Sequence, residues 1–350
     1  AEDEVGLGAD HTGVMVLPET EPGTPLADVL PLADAVLLVE ATGNRPDLQS
    51  VYGIAREIAA IYDLPLADAA SALDPGPVPA RAVDIAVDDR TGCPRYIGRL
   101  IENVTIGPSP VWLRARLHAA GMRPISNVVD VTNYVMLALG SPLHAFDSTT
   151  LHDGRIVVRH AGPGERLRTL DGVDRALSTD DLVIADTRRA VALAGIMGGE
   201  ETEIGDATVS VLLEAANFEP HMIFRSSERH RLRSEASGRW EKGVDPHAAL
   251  LAADMATQLI VDLSGGAWVA GSDVHDGLPE RPRVTYRPAR ADALIGIATP
   301  ESEQYGLLAR LGFERDGEQV VVPTWRAREV TREVDVIEEV ARFQIGRAHV

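Results

Sequence analysis

"SNVVDVTNYVMLALGSPLHAFD", residues 126–147, reads as an apolar helix closed by a Gly-Ser-Pro turn. Ser126 is a natural N-cap, and Gly140 stands just past the end, where a left-handed residue is favoured. Yet Asn127, Asp130 and Asn133 recur every three residues, laying a polar stripe on a face that packing would fill with apolar groups. His144 follows directly after the turn. Such a stripe serves either to cap neighbouring loops or to line a binding site.

Working outward, 350 residues with 45% hydrophobic content can bury more than one core, so two or three domains are expected. No stretch is apolar enough to span a membrane. The single cysteine, Cys93 in "TGCPRY", has no intrachain partner, which points to a reducing compartment. It reads as a small buried residue rather than a nucleophile. The opening "AEDEVGLG" lacks Met and any charged-then-apolar leader, so the chain is expected to carry no secretory signal and to be a fragment. A net charge of −20 argues against nonspecific coating of nucleic acid, which needs Lys and Arg at the phosphates. Residues 221–242 are a local exception, with six Arg and Lys against three Glu. That basic island is either a solvated, salt-bridged surface or a phosphate contact.

Residues 1–25 alternate and turn like the last strands of a β-domain. Residues 26–82 hold a strand at "AVLLVEAT", a helix from Ser50 to Tyr62, and an Ala/Pro-rich linker, "PLADAASALDPGPVPARA". Residues 83–274 mix helices and short strands in the α+β manner rather than in strict βαβ alternation. Ser109 and Pro110 start a helix there, and "RIVVRHA", "TLDGVDRAL", "LVIADTRRAVALAG" and "TVSVLLEAA" are strands, with a tight hairpin at Asp171-Gly172. Asp245 caps a long helix that stops at Gly265-Gly266. A small strand-helix-helix-strand module follows to about residue 325, and a last helix begins near Thr331. No internal repeat or metal-type Cys/His spacing is present.

Seven segments, "TGNRPDLQSVYGIAREIA", "CPRY", the opening stretch, "GIMGGEETEI", "VLLEAANF", "RSEASGRWEKGVDP" and "PTWRAREVTREVDVIEEVAR", resemble in this order the bacterial phenylalanyl-tRNA synthetase beta subunits. The resemblance implies a multidomain α+β chain. Residues 1–25 would end an OB-type tRNA-binding barrel, and residues 26–82 would be the rest of the N-terminal domain with its linker. Residues 83–274 would be an editing domain hydrolysing Tyr mischarged onto phenylalanine tRNA, and residues 278–344 a small domain before the catalytic-like core. The terminal "IGRAHV", residues 345–350, resembles a translated sequencing adapter and is set apart. A cytoplasmic heterotetramer is implied, in which the alpha subunit handles ATP and phenylalanine, so this chain alone is not expected to charge tRNA. The alternative is a non-enzymatic tRNA-binding or scaffold module of the same fold.

A pocket shaped for Phe rejects Tyr only about 10²-fold, because the two differ by one hydroxyl. A second, hydrolytic site that hydrogen-bonds the phenol can discriminate about 10⁴-fold, since Phe leaves a buried group unpaired. The resemblance places Thr132, Asn133, His144 and Glu214 in that site, with Glu214 bonding the tyrosine hydroxyl. It adds Gly198 for close backbone approach, Ser234 where many relatives have Thr, and Ala236 for ring space. Glu214 could instead pair with an arginine of the basic island, and Asp130 reads as structural. No Ser-His-Asp triad or zinc site is spelled out, so hydrolysis would use a positioned water, backbone donors and the tRNA ribose hydroxyl. Asp335, Glu338 and Glu339, on one face of the last helix, with Glu329 before it, suit Mg²⁺, which the resemblance has shared with the alpha subunit. A solvated acidic face is the other reading.

Overall fold

The structure is a computed structural model that describes residues 11, 14, 16–17, 19–30 and 35–347. Most of residues 1–25, the expected end of an OB-type barrel, lies outside the described residues, as do 348–350 of the adapter-like tail.

The first unit holds a short helix, α1 (Leu26–Val29), and an amphipathic one, α2 (Val51–Tyr62). Ser50 caps α2 by accepting from the Gly53 N–H, at the start of the helix expected from Ser50 to Tyr62. The strand expected at "AVLLVEAT" is not formed, and Val36, Leu37 and Leu38 are exposed. A strand needs a neighbouring strand to take its backbone hydrogen bonds, and residues 36–39 belong to none of the sheets formed among the described residues.

The second unit runs through β1 (Asp84–Val87), β2 (Arg95–Glu102), α3 (Val111–Ala119), α4 (Asn127–Leu139), β3 (His144–Asp147) and β4 (Arg155–His160). The hairpin β5 (Arg166–Arg168) and β6 (Asp174–Ala176) turns at Gly172, which adopts a φ of 76°. Then come β7 (Leu182–Ala185), β8 (Ala190–Leu193), β9 (Met197–Gly198) and β10 (Ser210–Asn217). Helices α5 (Pro220–His230), α6 (Glu235–Trp240) and α7 (Ala248–Ser264) and strand β11 (Ala267–His275) complete it.

Two sheets form its frame: β1-β4-β7-β8-β9, in which only the β1–β4 pair is parallel, and the antiparallel β11-β2-β10-β3. Strand β10 is buried on both faces. Its pleat sends Leu212 and Ala216 into a core with Tyr96, Phe146 and Trp240, and Val211 and Leu213 into a second core under α3, α4 and α7. Glu214 therefore points with Leu212 and Ala216, towards the first core.

The third unit comprises β12 (Arg283–Thr285), α8 (Pro288–Ile295), α9 (Glu301–Arg310), β13 (Glu314–Asp316), β14 (Gln319–Val321) and α10 (Glu333–Arg347). The predicted module is thus enlarged by a hairpin, giving a sheet ordered β12-β14-β13. Its core, around Tyr286, Leu307, Phe313 and Val336, also takes in Ala60 from α2. Among the described residues no helix is long and apolar enough to cross a membrane.

Candidate functional site

The polar stripe divides by role along α4. Ser126 accepts from the Val129 N–H, and Gly140 ends the helix in the left-handed region. The Asn127 amide donates to the carbonyls of Thr105 and Leu263, and its oxygen accepts from the N–H groups of Gly107 and Val128. Asp130 accepts from the Ser109 hydroxyl at 2.6 Å and the Ile125 N–H at 2.7 Å. Ser109 therefore does not cap α3, whose N-cap position is Pro110. Asn133 faces a cavity instead.

That cavity, of about 200 Å³, is lined by Asn133, His144, Gly198, Glu214, Ser234 and Ala236, six of the seven residues expected in the pocket. Its apolar walls include Met136, Leu143, Ile184, Ile196 and Trp240. Thr132 is the exception. Its buried hydroxyl donates to the Val129 carbonyl one turn back, and it does not line the cavity. On a helix, adjacent positions differ in direction by about 100°, and here Asn133 takes the cavity side while Thr132 turns back onto its own helix.

His144 opens β3 directly opposite Glu214 of β10 in the antiparallel ladder. Its ring stands edge-on to Phe146, with centroids 4.5 Å apart. Burial pulls the His144 imidazole down to about 4, so it is neutral at pH 7. A Cβ added at Gly198 would lie 2.6 Å from His144 Cε1 and 2.7 Å from Nε2. Glycine at 198 is what lets the β9 backbone lie against that ring.

Glu214 Oε2 accepts a hydrogen bond from the Tyr96 hydroxyl at 2.7 Å. Burial pushes the Glu214 carboxyl up to about 7, and the Tyr96 bond works in the opposite direction. The alternative of an arginine partner is not realised. Within the basic island Arg229 and His230 converge on buried Asp181, Arg239 pairs with Glu235, and Arg233 with Glu228. Tyr96 was not singled out in sequence. The available signal was its place in "CPRY", but only the pairing of β2 with β10 brings it to Glu214.

Ser234 caps α6, accepting from Ser237 N–H and donating to the Ile196 carbonyl at 2.9 Å. Its hydroxyl ties α6, and with it Ala236, to the segment before β9, and has no proton left for a ligand. Cys93 is fully buried, and burial raises its thiol well above the ordinary value, in keeping with a packing role.

A larger groove of about 550 Å³ lies where α2, residues 243–251 and Trp325 meet. Its polar groups are already engaged: Asp47 with Arg45, Asp245 with the His247 N–H, and His247 with the Pro279 carbonyl. It is a seam between units rather than a site for chemistry.

The acidic set on the last helix is engaged mainly by arginines and backbone N–H groups among the described residues. Glu339 is buried between Arg326 and Arg342, and Glu329 lies on Arg326. Asp335 accepts from the N–H groups of Thr331 and Arg332, and Glu338 is exposed. Among the described residues no three His, Cys, Asp or Glu side chains are placed to share a metal. Arg342 and Arg45 both reach Glu57, so these charges join α10 to α2. Helical spacing showed a carboxylate face but could not show the arginines that cover it.

Residues 92–265 match the B3/4 domain family, and residues 284–344 the tRNA synthetase B5 domain family. The phenylalanine--tRNA ligase beta subunit of Moorella thermoacetica is 46% identical over 341 residues, 95% of this chain and 42% of that protein. That of Anaeromyxobacter dehalogenans is 46% identical over 347 residues, 97% of this chain and 43% of that protein. This chain therefore spans less than half the length of these relatives. A solved N-terminal fragment of the Pyrococcus horikoshii phenylalanyl-tRNA synthetase beta subunit aligns at 16% identity and a TM-score of 0.42, covering 88% of this chain and 86% of that one, too distant to carry weight. With two domain families in order and near-complete coverage of this chain by close relatives, the chain belongs to the phenylalanine--tRNA ligase beta subunit family.

Proposed function

We propose that residues 83–274 form an editing domain that hydrolyses Tyr mischarged onto phenylalanine tRNA, within a cytoplasmic phenylalanine--tRNA ligase completed by an alpha subunit. In this assembly the alpha subunit takes ATP and phenylalanine, and residues 278–344 form a small domain that packs against α2. Magnesium shared with the alpha subunit would have to compete with Arg326, Arg342 and Arg332 for Glu329, Glu339 and Asp335, and it would find Glu338 exposed.

One observation carries the reading: of the two carboxylates that border a largely apolar cavity, Glu235 is paired with Arg239, whereas Glu214 is buried, fixed by Tyr96 and beside a neutral imidazole. A tyrosine ring fits the apolar walls, and its hydroxyl donates to Glu214. Phenylalanine in the same place leaves the second oxygen of that carboxylate desolvated and without a donor. His144, neutral at pH 7 and without a hydrogen-bond partner among the described residues, can accept from a water and orient it towards the ester carbonyl. The Gly198 backbone lies beside that ring, close enough to bound the reacting end of the cavity.

Single-turnover deacylation of Tyr-tRNA and Phe-tRNA by wild type and Glu214→Ala tests the assignment. Losing one buried hydrogen bond should reduce the preference for Tyr-tRNA by about 1 to 3 kcal/mol. Wild-type preference in the variant would remove Glu214 from substrate selection. Binding of both tRNAs without hydrolysis by wild type would favour the scaffold alternative.

A further inference from the structure

Glu214 has an internal partner that the family resemblance did not supply. Tyr96 is fully buried in β2, opposite Ala216 of β10, so it is the diagonal neighbour of Glu214 on the same face of the sheet. Its hydroxyl spends its one proton on Glu214 Oε2 at 2.7 Å. The other carboxylate oxygen, Oε1, has no donor among the described residues, and Glu214 borders the cavity.

We propose that Tyr96 is a positioning residue for hydroxyl selection: it holds one oxygen of Glu214 so that the other is presented, as an ionised acceptor, to the hydroxyl of a phenolic ligand. The tyrosyl identity of that ligand rests on the editing reading above.

Two consequences follow from the geometry. A carboxyl group rotates about its last bond, and a single donor from the core side fixes which oxygen faces the cavity. The same donor stabilises the charged form, which is the better acceptor for a phenol. The other groups facing Glu214 do neither. Across the ladder His144 is neutral at pH 7, Gly98 on β2 has no side chain, and the Cys93 thiol donates to the Arg95 carbonyl. Tyr96 is thus the one donor to Glu214 among the described residues, and without it the carboxyl would remain protonated to higher pH.

The experiment uses the 350-residue chain as wild type, Tyr96→Phe and Glu214→Gln. Carboxyl carbon-13 NMR follows Glu214 through a pH titration, and single-turnover deacylation gives the Tyr-tRNA to Phe-tRNA preference from pH 6 to 9. In Tyr96→Phe the Glu214 titration should move upward, and the preference at pH 7 should fall about tenfold and recover in part at higher pH. Glu214→Gln, which cannot ionise, should show a reduced preference that does not vary with pH. Wild-type titration and wild-type preference in Tyr96→Phe would overturn the proposal, as would a wild-type, pH-dependent preference in Glu214→Gln. A shifted titration in Tyr96→Phe, with no preference in wild type, would support the Tyr96–Glu214 coupling and overturn the editing reading instead.

Discussion

His144 and Glu214 face each other across one ladder, and burial moves them in opposite senses, the imidazole from 6.5 to about 4 and the carboxyl from 4.5 to about 7. At about 1.4 kcal/mol per pH unit, each displacement is worth about 3 kcal/mol of folding stability. The signs differ. Between pH 4 and 6.5 the unfolded chain protonates His144 while the folded one does not, so this residue makes stability rise with pH. Between pH 4.5 and 7 the folded chain keeps Glu214 protonated while the unfolded one does not, so this residue makes stability fall with pH. Over their shared window, about pH 4.5 to 6.5, the two contributions nearly cancel.

Single substitutions should expose what the pair conceals. Relative to wild type, Glu214→Gln should gain about 3 kcal/mol on going from pH 4.5 to above 7, because the cost of charging the buried carboxyl is gone. His144→Gln should gain a similar amount on going from pH 6.5 down to 4, because the cost of charging the buried imidazole is gone. Urea unfolding at half-unit pH steps, followed by tryptophan fluorescence and circular dichroism, gives both differences with all other titrating groups held in common. Differences that stay constant with pH within about 1 kcal/mol would refute the assignment of either group as buried and displaced. Two differences of the same sign of slope would refute the opposition itself.

Gly198→Ala should place a methyl against the His144 ring, costing about 1 to 3 kcal/mol and lowering deacylation while circular dichroism stays native. Arg326→Leu should leave Glu339, only 2% exposed, with an incomplete neutralising shell, and should destabilise the chain by about 3 kcal/mol in thermal unfolding. The double variant Tyr96→Phe with Glu214→Leu removes donor and acceptor together, so it should be at least as stable as wild type by urea unfolding yet show no tyrosine preference.

The sequence carried much of the site because its signals are local. The Ser126 and Gly140 caps fix the ends of α4, the spacing of the stripe fixes its face, and Asp171-Gly172 fixes a hairpin. The convergence of residues 133 to 236 on one cavity came from the family resemblance, not from periodicity. What stayed hidden depends on partners distant in the chain. Tyr96 meets Glu214 118 residues away, and Glu57 meets Arg342 285 residues away. Thr132 stands beside Asn133 in the motif, but its hydroxyl bonds the Val129 carbonyl and it does not line the cavity. The segment from Val36 to Val39 has the composition of a strand, yet composition cannot supply the second strand that a ladder requires.

A strand covered on both faces normally reads as an unbroken apolar run, and β10 does so in Val211, Leu212, Leu213, Ala215 and Ala216, with Glu214 the interruption. Stability alone does not account for that residue. A buried tyrosine–glutamate pair offers the fold no more than two apolar side chains of similar volume would, and ionising the carboxyl costs the fold further. The stripe on α4 obeys the same accounting up to a point: Asn127 and Asp130 satisfy loop donors and acceptors that would otherwise be orphaned, whereas Asn133 satisfies none among the described residues. The polar groups that the fold does not need, Asn133, His144 and Glu214, are the ones that face the cavity. Their placement answers no requirement of the packing around them, and the ligand of the proposed editing reaction, with a hydroxyl at one end and a hydrolysable bond at the other, would account for it.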